Sequence, residues 1–447
     1  MPTCELLLKG GTAVLPSGVM PADIAVSGGR IAAIGALDAA RAEQVIDCSG
    51  LTILPGLIDT QVHFREPGME HKEDLHTGSK AAVLGGITAV FEMPNTSPPT
   101  TTEEAIHDKL SRARGRMYCD HAFFVGAAAE NVEELGRLER LPGVCGVKVF
   151  MGSSTGSLLV SDDETLERVL RHISRRAAFH CEDEARLNER KSVRRPGDPS
   201  SHPEWRDVET ARRATERLLN LARKTGRRVH VLHVTTADEL PLLAAAKDFA
   251  TMEVTPHHLS MTDECYERLG ARCQMNPPVR GERHQRALWR AVREGLVDVI
   301  GSDHAPHLRE EKDRPYPESP SGMTGVQTTV PLMLDHVNAG RLTLERLVDL
   351  MAAGPQRIFG IAGKGRIAPG YDADFTVVDM KAERTITNGW IASKPGWTPY
   401  DGRKVRGWPV MTIIRGQVVM REGALLAEPA GEPVRFVETL PPADMAG

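Results

Sequence analysis

The feature that most constrains this chain is a series of eight short apolar runs of strand length separated by helical text, beginning near Leu57, Thr88, Tyr118, Gly146, Ala177, Val229, Met252 and Val297. Alternating strand and helix is the pattern of repeated βα units around a parallel sheet. Eight such units predict an α/β fold closed as a (β/α)₈ TIM-type barrel over residues 55–365, with its chemistry at the C-terminal ends of the strands. An open doubly wound sheet is the competing architecture, and no GxGxxG follows the first run to support it. Helical periodicity is clearest over Asp163 to Arg176 and Val208 to Lys224.

The two ends read differently. Strand-like pieces at 5–8, 23–26, 30–34 and 44–47 are separated by Gly-rich turns, and the same texture returns at 374–379 and 410–420. Segments 1–54 and 366–447 are therefore expected to pair into a small flanking β-sandwich domain. The tail after Ala427 is rich in Pro, Glu and Ala, and its last residues are expected to be mobile or draped over the surface.

Composition excludes several classes. A net charge of -5 gives no basic excess to hold a phosphate backbone, so nucleic acid is not an expected partner. No uninterrupted apolar run reaches membrane-spanning length, and MPTCELLLKGG lacks a basic segment followed by a long apolar one; a cytoplasmic location without a membrane partner is expected. The seven cysteines are scattered and form no CxxC pair, which predicts neither a disulfide framework nor a thiolate zinc site.

Chemistry concentrates where the runs end. In the first, Asp59, Gln61 and His63 alternate onto one face. In the fourth, Lys148 lies among apolar neighbours, where an unpaired ammonium is costly to bury; reaction with CO₂ would turn it into a carbamate able to bridge two metal ions. The fifth ends at His180. The sixth carries His230 and His233, three apart and so on opposite faces of a strand, and His233, nearer the C-terminal end, is the one expected to reach the axis. The eighth closes with Asp303, followed by His304 and His307. Imidazoles and carboxylates suit zinc in a catalytic site. Any one of these residues alone is more often structural, but five on strands one, four, five, six and eight make a pattern. His257 and His258, being adjacent, point apart and read as structural or supporting; His71 to Asp74 reads as a solvated polar loop. GlySerSerThrGlySer at 152–157 is a candidate mobile loop over the site.

These residues resemble the amidohydrolase superfamily, and within it the dihydroorotase, hydantoinase and allantoinase group. The likeness spans nearly the whole chain: ProGlyLeuIleAsp, the lysine of ValLysValPheMet, HisCysGluAsp, HisValThr, GlySerAspHisAlaProHis and the late GlyArgIleAlaProGlyTyrAspAlaAsp. It implies a binuclear zinc site in which carboxylated Lys148 bridges, His180 and His233 hold one metal, and His63 and Asp303 help hold the other. Arg65, two residues after His63, is similar to the dihydroorotase pattern and suits a carboxylate, which its forked guanidinium binds bidentately. Asn95 and His307 are then implied as further carboxylate contacts, and Asn276 as a contact to ring amides. The resemblance thus implies reversible hydrolysis of dihydroorotate to N-carbamoyl-aspartate in pyrimidine biosynthesis, with Asp303 as general base and then acid.

One position departs from the family's His-x-His, because here the motif reads Gln61ValHis63. A glutamine amide oxygen is a weaker ligand than imidazole for zinc. The alternatives are one metal ion, a second held loosely, or a catalytically dead partner of aspartate transcarbamoylase; retention of Lys148, His180, His233, Asp303 and Arg65 argues against the last. A hydantoinase or allantoinase acting on an uncharged ring is the other enzyme reading. A homodimer or higher homo-oligomer is expected, with sheet and barrel edges as surface.

Overall fold

The computed structural model describes residues 3–440. Its centre is a sheet of eight parallel strands, Leu57–Val62, Ile87–Glu92, Asp120–Gly126, Val144–Phe150, Ala177–His180, Val229–Val231, Ala250–Val254 and Val299–Ile300, each bonded to its neighbour in sequence. A parallel bridge from Val62 to His304 joins the first strand to the chain just past the last, so the sheet closes on itself as a barrel. Each of the eight apolar runs becomes a strand that starts within two residues of its expected place.

The runs are apolar throughout because both faces are buried. Val90, Phe123, Val147, Phe179 and Val231 share a core with helix residues such as Val83, Leu166 and Leu218, while Phe91, Phe124, Ala178 and Leu232 fill the inside with Phe359 and Phe436. The helix Val208–Thr225 is set locally: the Asp207 side chain accepts from Thr210 N at its start, and Gly226 closes it with φ 68°. The helix expected to run to Arg176 ends at His172, because Ile173 is already extended at ψ 157° and the buried Arg175 guanidinium bonds the carbonyls of Glu139 and Val144.

Asp207 also pairs with Arg186, Nε to Oδ1 at 2.9 Å. Asp207→Ala removes the cap and this pair, and is expected to cost about 1–2 kcal/mol, read as a lower midpoint in denaturant. Burial pushes the Asp207 carboxyl up, but Arg186 and Thr210 outweigh it and hold the value at about 2, against 3.8 unperturbed. A carboxylate so depressed contributes fully above 3.8 and loses its contribution as pH falls toward 2, so the difference between wild type and variant should shrink over that window.

The chain ends form two sheets beside the barrel. One has four strands from the N-terminal segment; the other joins Thr12–Leu15, Gly18–Pro21 and Thr52–Pro55 to Phe375–Thr385, Lys404–Ile414, Gln417–Arg421 and Ala424–Leu425, with Thr52–Pro55 antiparallel to Phe375–Thr385 at the seam. Leu6, Leu8 and Ile24 of the first pack with Ile53, Phe375, Val377 and Ile413 of the second. The three N-terminal strands of the mixed sheet, at four residues each, are too short for alternation to reveal them. At the junction a β-carbon on Gly56 would stand 2.4 Å from Thr88 Oγ1 and 2.6 Å from Asp374 Cβ, so close approach of sandwich and barrel requires glycine there.

The described part of the tail is docked on the barrel. Residues 431–436 run into the barrel's N-terminal end, where Val434 N bonds His121 O at 2.8 Å and Phe436, buried, sits edge-on to Phe91. Phe436 and Val434 supply the apolar surface that anchors this segment. The last residues of that tail, 441–447, and Met1 and Pro2 lie outside the described residues. All seven cysteines are free and buried. Among the described residues no helix is long and apolar enough to cross a membrane.

Candidate active site

Among the described residues five other than glycine have positive φ, and three of them, Arg65 (64°), His233 (36°) and Asp303 (47°), line one pocket at the C-terminal end of the barrel. Such backbone costs a residue with a β-carbon about 1 kcal/mol or more and persists where the surroundings over-determine it. Each residue lies just past its strand, where the turn frees its side chain from strand alternation. This corrects the expectation that only one of His230 and His233 reaches the interior. The strand ends at Val231; His230 packs against Phe359 of the inner core and bonds Thr251 Oγ1, while His233 is turned into the pocket.

Nine of the ten residues expected in the site line this pocket: Gln61, His63, Arg65, Asn95, Lys148, His180, His233, Asn276 and Asp303. The tenth, His307, stands behind Arg65 with its Nε2 3.0 Å from Ser321 O. Ser154 and Thr155 of the 152–157 loop form part of the rim, and the Arg206 guanidinium bonds Ser153 O at 2.6 Å.

His180 Nδ1 and His233 Nε2 face each other at 3.1 Å. Two imidazoles on one tetrahedral zinc, each about 2.0–2.1 Å from it, stand roughly 3.3 Å apart, so this pair fits a shared ion. Burial lowers the pKa of both rings and favours the neutral form that a ligand needs. His180 Nε2 bonds Glu182 Oε2 at 2.9 Å. Burial pushes the Glu182 carboxyl up, yet Arg206 and His180 hold it down at about 2, so an anion fixes the ring with Nδ1 free to ligate. Among the described residues no three of His, Cys, Asp and Glu converge on one ion. The third group beside this pair is instead Lys148, buried, with its ammonium 4.6 Å over the Phe150 ring and no ion pair among the described residues. Burial lowers its pKa to about 8, which raises the share of free amine that can react with CO₂.

Across the pocket, Asp303 Oδ1 stands 3.2 Å from His63 Nε2 and accepts from Gln61 Nε2 at 3.1 Å. His63 Nδ1 donates to Asn95 Oδ1 at 2.7 Å, and Asn95 Nδ2 donates to Thr155 O at 2.8 Å. Asn95, expected to contact substrate, lines the pocket and keeps a second amide N–H beyond its bonds to His63 and the rim loop. Asn276 Oδ1 accepts from His202 Nε2 at 2.9 Å.

Arg65 is a second incompletely satisfied charge in the pocket. Its Nε donates to Pro306 O at 3.2 Å, and Nη1 is buried without a partner. Nη2 is 3.2 Å from His307 Nε2, a ring that also has Lys72 Nζ at 3.2 Å and Glu311 Oε2 at 3.7 Å from its Nδ1. Nη1 is thus the terminal nitrogen left without an acceptor. Burial, incompletely offset by Asp303 and Glu92 at a distance, lowers the guanidinium pKa to about 10. An anion placed on that edge would relieve the deficit.

Several buried groups escaped sequence reading. Glu253 lies under the pocket floor, accepts from Thr60 Oγ1 and from His233 N, and is raised by burial and by Asp59 to about 8. Glu182 shares His180's face of the strand and alternation could have found it; Arg206 and His202 come from a distant connection with no local signal. Glu92 forms a fully buried pair with Lys109 behind Arg65. The stretch 71–74, expected to be solvated, is corrected: Glu73 is completely buried and accepts from Ser393, and Lys72 pairs with Glu311 at 2.9 Å. His257 and His258 are buried outside the pocket lining, His258 bonding Thr255 and Pro277 O.

Comparison with known proteins places this geometry in context. The model of the amidohydrolase family matches residues 52–419. The chain is 36% identical over 442 residues to the dihydroorotase of Methanosarcina acetivorans, covering 95% of this chain and 94% of that one. It is 34% identical over 444 residues to the allantoinase of Deinococcus radiodurans, covering 96% and 98%. Among solved structures, the L-hydantoinase (dihydropyrimidinase) of Arthrobacter aurescens superposes with a TM-score of 0.92 at 31% identity, over 97% of this chain and all of that one.

Proposed function

Because the chain belongs to the amidohydrolase family and is a hydrolytic enzyme, we propose that it is a dihydroorotase, opening the ring of dihydroorotate to N-carbamoyl-aspartate and closing it in reverse. The observation that carries this reading is the buried Arg65 Nη1 without an acceptor, in the same pocket as the histidine pair. Dihydroorotate carries a carboxylate that matches that fork; hydantoin and allantoin do not. The dihydroorotase relatives support the choice, while the structural likeness to hydantoinases supports the shared hydrolytic chemistry.

Zinc suits an imidazole-rich site, and His180 and His233 with a CO₂-derived carbamate on Lys148 would hold one ion, with His63 and Asp303 available to another. Such a cation would lower the pKa of water and polarise the ring carbonyl. The chain's own residues do the rest. Arg65 binds the substrate carboxylate and thereby sets the ring amide over Asp303, with Asn276 facing the ring. Water adds to the amide carbonyl carbon as Asp303 takes its proton; the carbon–nitrogen bond then breaks and Asp303 returns the proton to the ring nitrogen. Glu182 and Asn95 keep His180 and His63 in orientation. A cytosolic setting, pyrimidine synthesis and self-association belong to the same proposal.

The test is ring opening by the purified protein with dihydroorotate, hydantoin and allantoin side by side. Dihydroorotate is expected to be preferred by about 10²-fold or more in kcat/KM, the scale of one buried charge pair. Preference for an uncharged ring would transfer the assignment to a hydantoinase or allantoinase. No ring opening by folded, metal-loaded protein would favour the scaffold for aspartate transcarbamoylase.

A further inference from the structure

Gln61 stands where the pocket would otherwise present a second imidazole to Asp303. Its amide orientation is fixed by that carboxylate: Nε2 donates to Asp303 Oδ1 at 3.1 Å, and Oε1 is buried without a partner. Turning the amide over would set two acceptor oxygens against each other with no hydrogen between them. The same Asp303 oxygen faces His63 Nε2 at 3.2 Å, but the His63 proton is on Nδ1 toward Asn95, so the hydrogen that Asp303 receives here comes from Gln61. The opposite side of the pocket is arranged otherwise. There His180 Nδ1 and His233 Nε2 face each other at the spacing of two ligands on one ion, Glu182 fixes the His180 ring, and Lys148 stands beside them without an ion pair among the described residues.

We infer that this chain holds a single divalent cation tightly, at His180 and His233, and that the Gln61 amide N–H takes the place beside Asp303 and His63 that a second cation would occupy. The inference rests on the metal-dependent hydrolase reading, and it concerns ion number rather than substrate. A neutral amide donor gives Asp303 a hydrogen bond where a cation would give it a full counter-charge, and so keeps the carboxylate in position without drawing an ion.

Elemental analysis of protein purified without chelator tests it, with dihydroorotate turnover measured on the same samples. About one zinc-class ion per chain is expected for wild type, rising to about two in Gln61→His, where an imidazole nitrogen replaces the amide. His180→Ala should lose the tightly held ion. Two ions per wild-type chain, with one lost in Gln61→Ala, would make the amide oxygen a ligand and overturn the inference while leaving the hydrolase reading intact. A folded Gln61→His variant that stays at one ion would overturn the role given to Gln61. No metal and no turnover in folded wild type would overturn both. The wild-type count stands whether or not a variant folds.

Discussion

Asp303→Ala is expected to lower dihydroorotate hydrolysis by about 10³-fold or more, and ring closure by the same factor. A positioned general base contributes about 10²–10⁴-fold, and here one carboxylate serves both proton transfers. Among the described residues it is the only carboxylate lining the pocket: Glu253, buried below, bonds Thr60 and the His233 backbone and does not line it. Asp303→Asn should fall comparably, because it keeps an oxygen for Gln61 to bond but cannot accept a proton. Single-turnover rates and metal content measured together check this. If Asp303→Ala retains a near wild-type rate with its metal intact, the proton carrier is another group.

Arg65→Ala carries the second large effect. Removing one partner of a buried charged pair costs about 2–5 kcal/mol, so kcat/KM for dihydroorotate should fall by roughly 10²–10³-fold. Arg65→Lys should recover only part of this, since a single ammonium cannot reproduce a two-pronged contact. Hydrolysis of hydantoin, if detectable in wild type, should change much less. Equal loss on both rings would mean that Arg65 supports the architecture of the pocket, held as it is at φ 64° and bonded to Pro306 O. Unchanged dihydroorotate turnover would remove the carboxylate argument and with it the preference for dihydroorotase over hydantoinase.

The barrel was legible because its signal is local and repeated. A strand buried on both faces must be apolar along its length, and eight of them at regular intervals leave few other ways to fold. Where the signal is shorter or weaker it failed: the four-residue strands of the sandwich carry no periodicity, and nothing local marks Val434 and Phe436 as the residues that tie 431–436 under the barrel. The site residues were legible by type and by position at strand ends. Their partners were not. His63 is set by Asn95, His180 by Glu182 and through it Arg206, and Asn276 by His202; the Arg206 and His202 contacts cross 24 and 74 residues of chain.

The sequence by itself determined the order of the eight strands, the mixture of both ends into flanking sheets, and which imidazoles, carboxylate, lysine and arginine could meet at the barrel mouth, because hydrophobic pattern and residue chemistry are carried in adjacent positions. Tertiary structure alone decided how they face. Alternation stops where the strands end, and at Arg65, His233 and Asp303 a left-handed backbone, stabilised only by the closed barrel around it, chooses the direction of each side chain. The same holds for hydrogen bonding: that Gln61 presents its N–H to Asp303, that Asn95 bonds His63 and the rim, and that Arg65 Nη1 is left without an acceptor are outcomes of which groups are buried together, and no local stretch of sequence encodes them.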